Sequence, residues 1–292
     1  MKEIVILSGK GGTGKTSLTA SFAALSQQAV LADCDVDAAD LHLVLNPEIQ
    51  QKHTFYSGNE ASIRSDECSS CNMCKEYCRF DAVIYDKEND SYSIDQTACE
   101  GCGVCVYFCP DNCIDFPERE CGEWYRSDTR FGPMVHAHLG IAAENSGKLV
   151  SLVRSEARKV ATEQGAQLLL VDGPPGIGCP VIASITGADH LVLVTEPTQS
   201  GMHDIERVLR LARHFGLPTS LCVNKWDINP NMTEQIEALG EELGAYLLGR
   251  IDYDKLVTQA QVAGKSVEEM GESQIGYQIR AIWEKVLQIT CK

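Results

Sequence analysis

Ser8-Gly9-Lys10-Gly11-Gly12-Thr13-Gly14-Lys15-Thr16-Ser17 follows a short apolar run at residues 4–7 and opens a helix-like stretch at residues 17–25. Strand, glycine loop and helix in that order turn the pattern G-x-x-x-x-G-K-[ST] into a phosphate cradle. Glycines let successive backbone N–H groups point inward at phosphate oxygens, and the helix N-terminus adds partial positive charge. Lys15 is expected to reach the β- and γ-phosphates, and Thr16 to hold Mg²⁺ through its hydroxyl. Gly9, Lys10, Gly11, Gly12, Thr13, Gly14, Lys15, Thr16 and Ser17 are therefore the expected nucleotide contacts. An ordinary loop of this kind needs no lysine at position 10, so Lys10 asks for its own explanation.

The chain has 292 residues, enough for one large α/β domain or for two domains. Its 25 basic and 41 acidic side chains leave a formal charge of −16, which argues against non-specific nucleic-acid binding and against an anionic membrane surface. No apolar run approaches the roughly 20 residues of a membrane span, so no membrane insertion is expected. The first strand begins within three residues of Met1, so no signal peptide is expected and the reading is cytoplasmic. Fourteen cysteines are then the anomaly. Without secretion, clustered cysteine means metal or redox chemistry rather than disulfides.

A second strand at residues 29–32 ends in Asp33-Cys34-Asp35-Val36-Asp37-Ala38-Ala39-Asp40. Acidic residues at the carboxyl end of a parallel strand lie beside the phosphate loop, and four in eight residues point to Mg²⁺ and water handling. After Pro47 the nucleotide pattern stops, and a different composition holds from about residue 62 to 117. The pattern returns with a helical stretch at 147–165 and then Leu168-Leu169-Leu170-Val171-Asp172, a strand tipped by a Walker-B-type carboxylate. Further strands are expected at 190–195, 220–224 and 245–250, with helices at 202–215, 232–243 and 254–263. The alternation predicts an α/β fold, a mostly parallel, doubly wound sheet with helices on both faces. Ile275, Ile279, Ile282, Val286 and Ile289 form one stripe of a last helix, read as packing against that sheet.

Eight cysteines occur in two identical runs, Cys68, Cys71, Cys74, Cys78 and Cys99, Cys102, Cys105, Cys109. Each run is C-x2-C-x2-C-x3-C, and every member of the second lies 31 residues after its counterpart. This duplicated spacing is that of two-cluster bacterial ferredoxins, in which the fourth cysteine of each run ligates the other cluster. One [4Fe–4S] cluster is expected on Cys68, Cys71, Cys74 and Cys109, the other on Cys99, Cys102, Cys105 and Cys78. Zinc needs four ligands and does not explain paired runs of four. The second run ends in Cys109-Pro110, as the pattern expects, whereas Arg79 follows Cys78. The repeat sets Cys113 opposite Ala82, which reads as a packing position. So short a segment has little apolar core, so the clusters themselves are expected to hold it folded.

Of the remaining cysteines, Cys222 reads as a buried strand residue, Cys291 as a terminal thiol, and Cys34 as a thiol whose acidic neighbours raise its pKa. Cys179 follows Gly176-Ile177-Gly178 and reads as packing at a helix start, with a subunit-bridging metal ligand as the alternative. Cys121 reads equally as structural or as a redox contact. His136 and His138 alternate as on a strand and read as sharing one exposed face, with ligation as the alternative.

Taken together, these motifs resemble the MinD-superfamily P-loop ATPases with an inserted ferredoxin domain, over residues 1 to about 271. In that deviant-Walker class the loop is K-G-G-x-G-K-[ST], matched by Lys10 to Thr16. The resemblance implies that Lys10 reaches across a dimer to the partner's nucleotide, that Asp35 positions the attacking water, and that Asp172 lies near Mg²⁺. Lys10, Lys15 and Asp35 are thus the implied catalytic residues, and Thr16, Asp35 and Asp172 the implied Mg²⁺ set. Asn224, in Asn224-Lys225-Trp226-Asp227, matches an adenine-recognising asparagine, although the tetrapeptide also resembles the guanine signature NKxD. Cys179 lies seven residues beyond Asp172, a spacing at which the nitrogenase iron protein, a more distant relative, has a cluster ligand.

The implied division is an ATPase domain at 1–60 and 119–292 with a ferredoxin domain at 61–118. The implied cofactors are ATP, Mg²⁺ and two [4Fe–4S] clusters. The implied partners are a second copy or a paralogous ATPase, and a redox or cluster-acceptor protein. The expected activity is ATP hydrolysis coupled to electron transfer through the clusters. The alternatives are a cluster carrier or assembly factor, and a positioning switch with structural clusters.

Overall fold

The computed structural model describes residues 1–26, 28–140 and 145–290; Cys291 lies outside them. The chain opens with β1 (Lys2–Ser8), α1 (Lys15–Leu25), β2 (Val30–Asp33), α2 (Leu41–Leu45) and β3 (Glu48–Asn59). Short elements follow: β4 (Ser62–Ile63), α3 (Met73–Tyr77), β5 (Val83–Asp86), β6 (Ser91–Ile94), α4 (Val104–Phe108) and β7 (Ile114–Asp115). Next come β8 (Glu118–Thr129), β9 (Gly132–Leu139), α5 (Ser146–Gln164), β10 (Leu168–Asp172), α6 (Cys179–Ile185) and β11 (His190–Thr195). The chain ends with α7 (Gln199–His214), β12 (Thr219–Asn224), α8 (Pro230–Glu242), β13 (Tyr246–Ile251), α9 (Lys255–Val262) and α10 (Gln274–Thr290).

Nine strands make one sheet in the order β13-β12-β11-β1-β10-β2-β9-β8-β3. From β13 to β9 every neighbouring pair is parallel. The central strands are continuous apolar runs because both their faces are covered; Ile4, Val5, Ile6 and Leu7 are fully buried, as are Leu169, Leu170 and Val171. Phe22 of α1 packs on Trp283 of α10 with ring centroids 4.8 Å apart. In α10, Ile275, Ile279, Ile282 and Val286 are all buried in the same core, each removal from water being favourable by roughly 1.5–3 kcal/mol.

The sheet is wider than the sequence pattern predicts. The stretch after Pro47 does not leave it: β3, β8 and β9 extend it beyond β2. Residues 48–53 of β3 are exposed and largely polar, as suits an edge strand, and so carry no hydrophobic alternation by which to be recognised. Strand β9 pairs in parallel with β2, Leu31 opposite Met134 and Asp33 opposite His136. A two-residue connection, Arg130 and Phe131, joins β8 to β9 as a hairpin.

The chain divides into two compact units, one of Met1–His53, Glu123–Leu139 and the chain from Asn145 on, the other chiefly Thr54–Gly122. The second unit follows its duplication. Helices α3 and α4, five residues each, begin after left-handed residues at equivalent positions, Asn72 (φ 64°) and Gly103 (φ 74°). Two antiparallel pairs, β4 with β7 and β5 with β6, are each built from one strand of either repeat. Tyr77 and Phe108, again 31 residues apart, stack with centroids 4.2 Å apart. The unit's core is small: Ala61, Cys74, Val83, Tyr92, Cys113 and Ile114.

Candidate functional site

The parallel register brings the carboxyl ends of β1, β2, β10, β11 and β12 to one edge of the sheet, where open α/β sheets bind ligands. There the glycine loop turns into α1 through Gly12 (φ 81°) and Gly14 (φ 90°), both left-handed. A Cβ on Gly14 would lie 2.4 Å from Asn224 Nδ2, so the position admits no side chain. Asn224 Nδ2 donates to the Thr13 carbonyl at 2.8 Å. A cavity of about 530 Å³ opens above the loop, of a size that suits a nucleotide. Gly11 to Ser17, Asp35, Asp40 and Asn224 line it.

Charge in the cavity is concentrated on Lys15. Its Nζ lies 2.9 Å from Asp172 Oδ2 and 3.5 Å from Asp35 Oδ2. Burial works against the ammonium, but Asp172 and Asp35 outweigh it and its pKa lies above the ordinary lysine value. Thr16 Oγ1 donates to Asp172 Oδ2 at 2.8 Å and Thr19 Oγ1 to Asp172 Oδ1 at 2.7 Å. Thr16, Asp35 and Asp172 thus surround one ammonium, and their hard oxygen donors suit Mg²⁺. Burial raises the Asp35 carboxyl to about 6, only partly offset by Lys15.

The four acids after β2 divide in their roles. Asp33 is wholly buried; it accepts the N–H groups of Asp35 (3.1 Å) and Leu41 (3.3 Å), pinning the loop into α2. Burial and then Asp172 push its pKa well above the carboxylate range. Asp35 and Asp40 line the cavity, and Asp37 is exposed.

Lys10 does not face the cavity within its own chain. Its Nζ lies 2.5 Å from Glu196 Oε1, with Thr198 Oγ1 at 3.3 Å and Ser200 Oγ at 3.4 Å. Glu196 also pairs with Lys225 at 3.2 Å, and Lys225 Nζ donates to the Gly12 carbonyl at 3.1 Å. Partial burial opposes its ionisation, but the two lysines hold the Glu196 carboxyl below its usual value. Gly9 is likewise outside the cavity; a Cβ there would strike Asp204 of α7 at 2.3 Å. Asp227, the last residue of the NKxD-like tetrapeptide, accepts the Tyr253 N–H at 2.7 Å, whereas Asn224 and Lys225 line the cavity.

Some site residues have no motif in the sequence. Asp252, Tyr253 and Asp254, between β13 and α9, line the cavity, as does Gln261, whose Nε2 donates to Ser17 Oγ at 2.8 Å. Their signal was available in the strand-end rule: polar residues just after a parallel strand at the carboxyl edge. Glu196, directly after β11, carries the same signal.

In the second unit the eight paired cysteines sort into two cavities. Cys68, Cys71, Cys74 and Cys109 line one, together with Cys113. Cys99, Cys102, Cys105 and Cys78 line the other. Among the described residues no three His, Cys, Asp or Glu side chains converge as a single metal ion requires. Cys113 is buried and packs in the unit's core. Cys121 is buried too, and its Sγ donates to the Ser57 carbonyl at 3.2 Å, a structural bond. Cys34 and Cys222 are wholly buried, and burial raises the thiol of each, Cys222 to about 12.

Two expectations need correction. Cys179 is exposed at the first turn of α6, so it is not a packing residue. His136 and His138 share no exposed face: only His138 is exposed. His136 is buried, its Nε2 2.9 Å from Ser127 Oγ, and burial lowers its pKa to about 4. The rings of Tyr125 (β8) and His42 (α2) stack on it, with centroids 4.9 and 6.4 Å away, contacts that strand alternation alone does not reveal. No helix among the described residues is long and apolar enough to cross a membrane.

Residues 4–267 match the CobQ/CobB/MinD/ParA nucleotide binding domain. An uncharacterized protein of Methanocaldococcus jannaschii, MJ0578, is 32% identical over 230 residues, 78% of this chain and 79% of that protein. A second uncharacterized protein of that organism, MJ0579, is 23% identical over 275 residues, 91% of each. Among solved structures, the septum site-determining protein MinD of Pyrococcus horikoshii OT3, complexed with Mg-ADP, shares the fold. Its TM-score is 0.59 and its identity 18%, over 99% of this chain and 96% of that one. With its glycine loop, strand-tip carboxylates and cavity at the carboxyl edge of a parallel sheet, the chain belongs to the CobQ/CobB/MinD/ParA family of P-loop nucleotide-binding ATPases.

Proposed function

We propose that this ATPase carries an inserted two-cluster ferredoxin unit and couples its nucleotide state to electron transfer through that unit. The observation that carries the reading is the sorting of sulfurs. Each cavity takes three cysteines from one run and the fourth from the other, the crossed pattern of two-cluster ferredoxins. Four sulfurs around one cavity are the donor set that a [4Fe–4S] cluster takes. When bound, [4Fe–4S] clusters supply one-electron storage and transfer: an electron enters from a low-potential donor protein and leaves to an acceptor protein.

At the nucleotide, backbone N–H groups of residues 11–16 bind the phosphates, and Lys15 leaves Asp172 for the β- and γ-phosphates. Thr16, Asp35 and Asp172 would hold Mg²⁺, which would neutralise phosphate charge; Asp35 orients the attacking water, and Asn224 meets the base. Lys10 acts across a dimer with a second copy or a paralogue, after exchanging Glu196 for the partner's phosphates. The two relatives within one organism are consistent with a paralogous partner. Strand β8 brings the chain back from the cysteine unit and leads through the hairpin into β9, which pairs with β2, the strand that carries Asp33 into the loop of Asp35. That continuity offers a path by which the loop state reaches the cysteine unit.

A second reading, a positioning ATPase whose clusters are structural, is favoured by the MinD neighbour. The test is anaerobic purification, followed by cluster EPR and iron content while ATP or a non-hydrolysable analogue is added. A nucleotide-dependent change in potential with iron retained supports electron transfer. Potentials indifferent to nucleotide support positioning, and release of iron and sulfide to an apo-acceptor supports a carrier.

A further inference from the structure

The two cysteine cavities are related by the 31-residue repeat, so each wall position of one has a counterpart in the other. Their sulfurs correspond one for one, but their other walls do not. Cys113, Tyr92 and Asp111 line the cavity of Cys68, Cys71, Cys74 and Cys109. At the equivalent positions the second cavity has Ala82, Ala61 and Phe80. At these three positions polar side chains in one cavity replace apolar ones in the other; the second cavity also has Glu100 on its wall, exposed to water.

Cys113 is the difference that touches a sulfur. It is 2% exposed, and its Sγ lies 3.5 Å from Cys109 Sγ. Ala82 is equally buried and has no donor. A hydrogen bond to a ligating thiolate stabilises the extra negative charge of the reduced state and so raises the reduction potential. Burial removes water as a competing partner and strengthens the bond.

Resting on the cluster assignment above, we propose that Cys113 is a tuning residue. Its S–H donates to the Cys109 thiolate and makes the Cys68, Cys71, Cys74 and Cys109 site the higher-potential one of the pair. A single electron delivered to the unit therefore comes to rest at that site, with no covalent bond made or broken. Asp111 opposes the effect, since a carboxylate near the cavity lowers the potential. It is exposed and screened by water, however, and its Oδ2 accepts the Ser69 N–H and hydroxyl at 2.9 and 2.5 Å. The Tyr92 hydroxyl donates to Asn72 Oδ1 at 2.9 Å and so does not compete for the sulfur.

The test is an EPR-monitored redox titration of the full-length, iron-loaded protein. In Cys113→Ala the more positive midpoint potential moves negative and the other stays. Cys113→Ser, which keeps an O–H donor, retains most of the separation. Ala82→Cys moves a donor to the second cavity and raises the more negative potential. Two unchanged potentials in Cys113→Ala, with eight irons per chain, would overturn the proposal. So would loss of four irons from that variant, since Cys113 would then be a ligand, and so would Ala82→Cys acting on the more positive potential. Wild-type protein that binds no iron–sulfur cluster defeats the proposed function instead, an outcome seen before any variant is made.

Discussion

The nucleotide cavity and the cysteine unit answer the same problem, holding charged or reactive groups in place, in opposite ways. In the first, functional side chains stand at the ends of strands whose middles are fully buried, so a large core sets their positions. Lys15, Thr16, Thr19, Asp35 and Asp172 already satisfy one another there. In the second, six buried residues make the core, two of them cysteines, and the elements are two to five residues long. Such a core is too small to fold a unit of this size by itself. On the proposed cluster assignment, the first is a preorganised site that waits for its ligand and the second a fold that its ligand makes.

Removing iron is the harshest way to break that comparison. Chelation under anaerobic conditions should unfold residues 54–122 and leave β1 and β10 protected, read by hydrogen exchange. Equal protection in both units after iron loss would mean that the small core suffices. Next in size is Lys15→Ala, which should lower ATP hydrolysis by about 100-fold or more. It also strands Asp172 and Asp35 without their cation, so nucleotide-free stability should fall by about 3–5 kcal/mol in chemical denaturation.

The pH response sharpens the contrast further. Asp35 has its pKa raised to about 6 in the nucleotide-free protein, so the carboxylate proposed to orient water is lost there as pH falls through 6. The kcat/KM of hydrolysis, which reports that free state, should drop roughly tenfold per pH unit below that value, and Asp35→Asn should leave only a low, pH-independent rate. Stability moves oppositely: the folded state binds the Asp35 proton more tightly than the unfolded chain, so this group's contribution weakens as pH rises from about 4 through 6. A hydrolysis profile flat between pH 5 and 7 would remove Asp35 from the water. The smallest effect is expected from Glu196→Gln. Freed from its ion pair, Lys10 should favour the dimer a few-fold, measured as ATP-dependent association by sedimentation. Weaker association would instead make Glu196 a support of the loop.

Much of this was legible from the chain because local chemistry carried it. Glycines at 12 and 14 with Lys15 and Thr16 demand a particular backbone whatever surrounds them, and apolar runs such as residues 168–171 demand burial on both faces. Edge strands escaped detection for the reverse reason: β3 is exposed and polar, so nothing in its pattern separates it from a loop. His136 misled because Tyr125, Ser127 and His42, remote from it in the strand pattern, close over its ring.

The phosphate loop, the strand-tip acids and the duplication of the cysteine runs rest on residue type and spacing along the chain. Which sulfurs share a cavity wall, the turn of Lys10 to Glu196, and the place of Asp252, Tyr253 and Asp254 in a site more than 200 residues away emerge with the fold. Those facts depend on distances between segments remote in sequence, which strand order and packing alone determine.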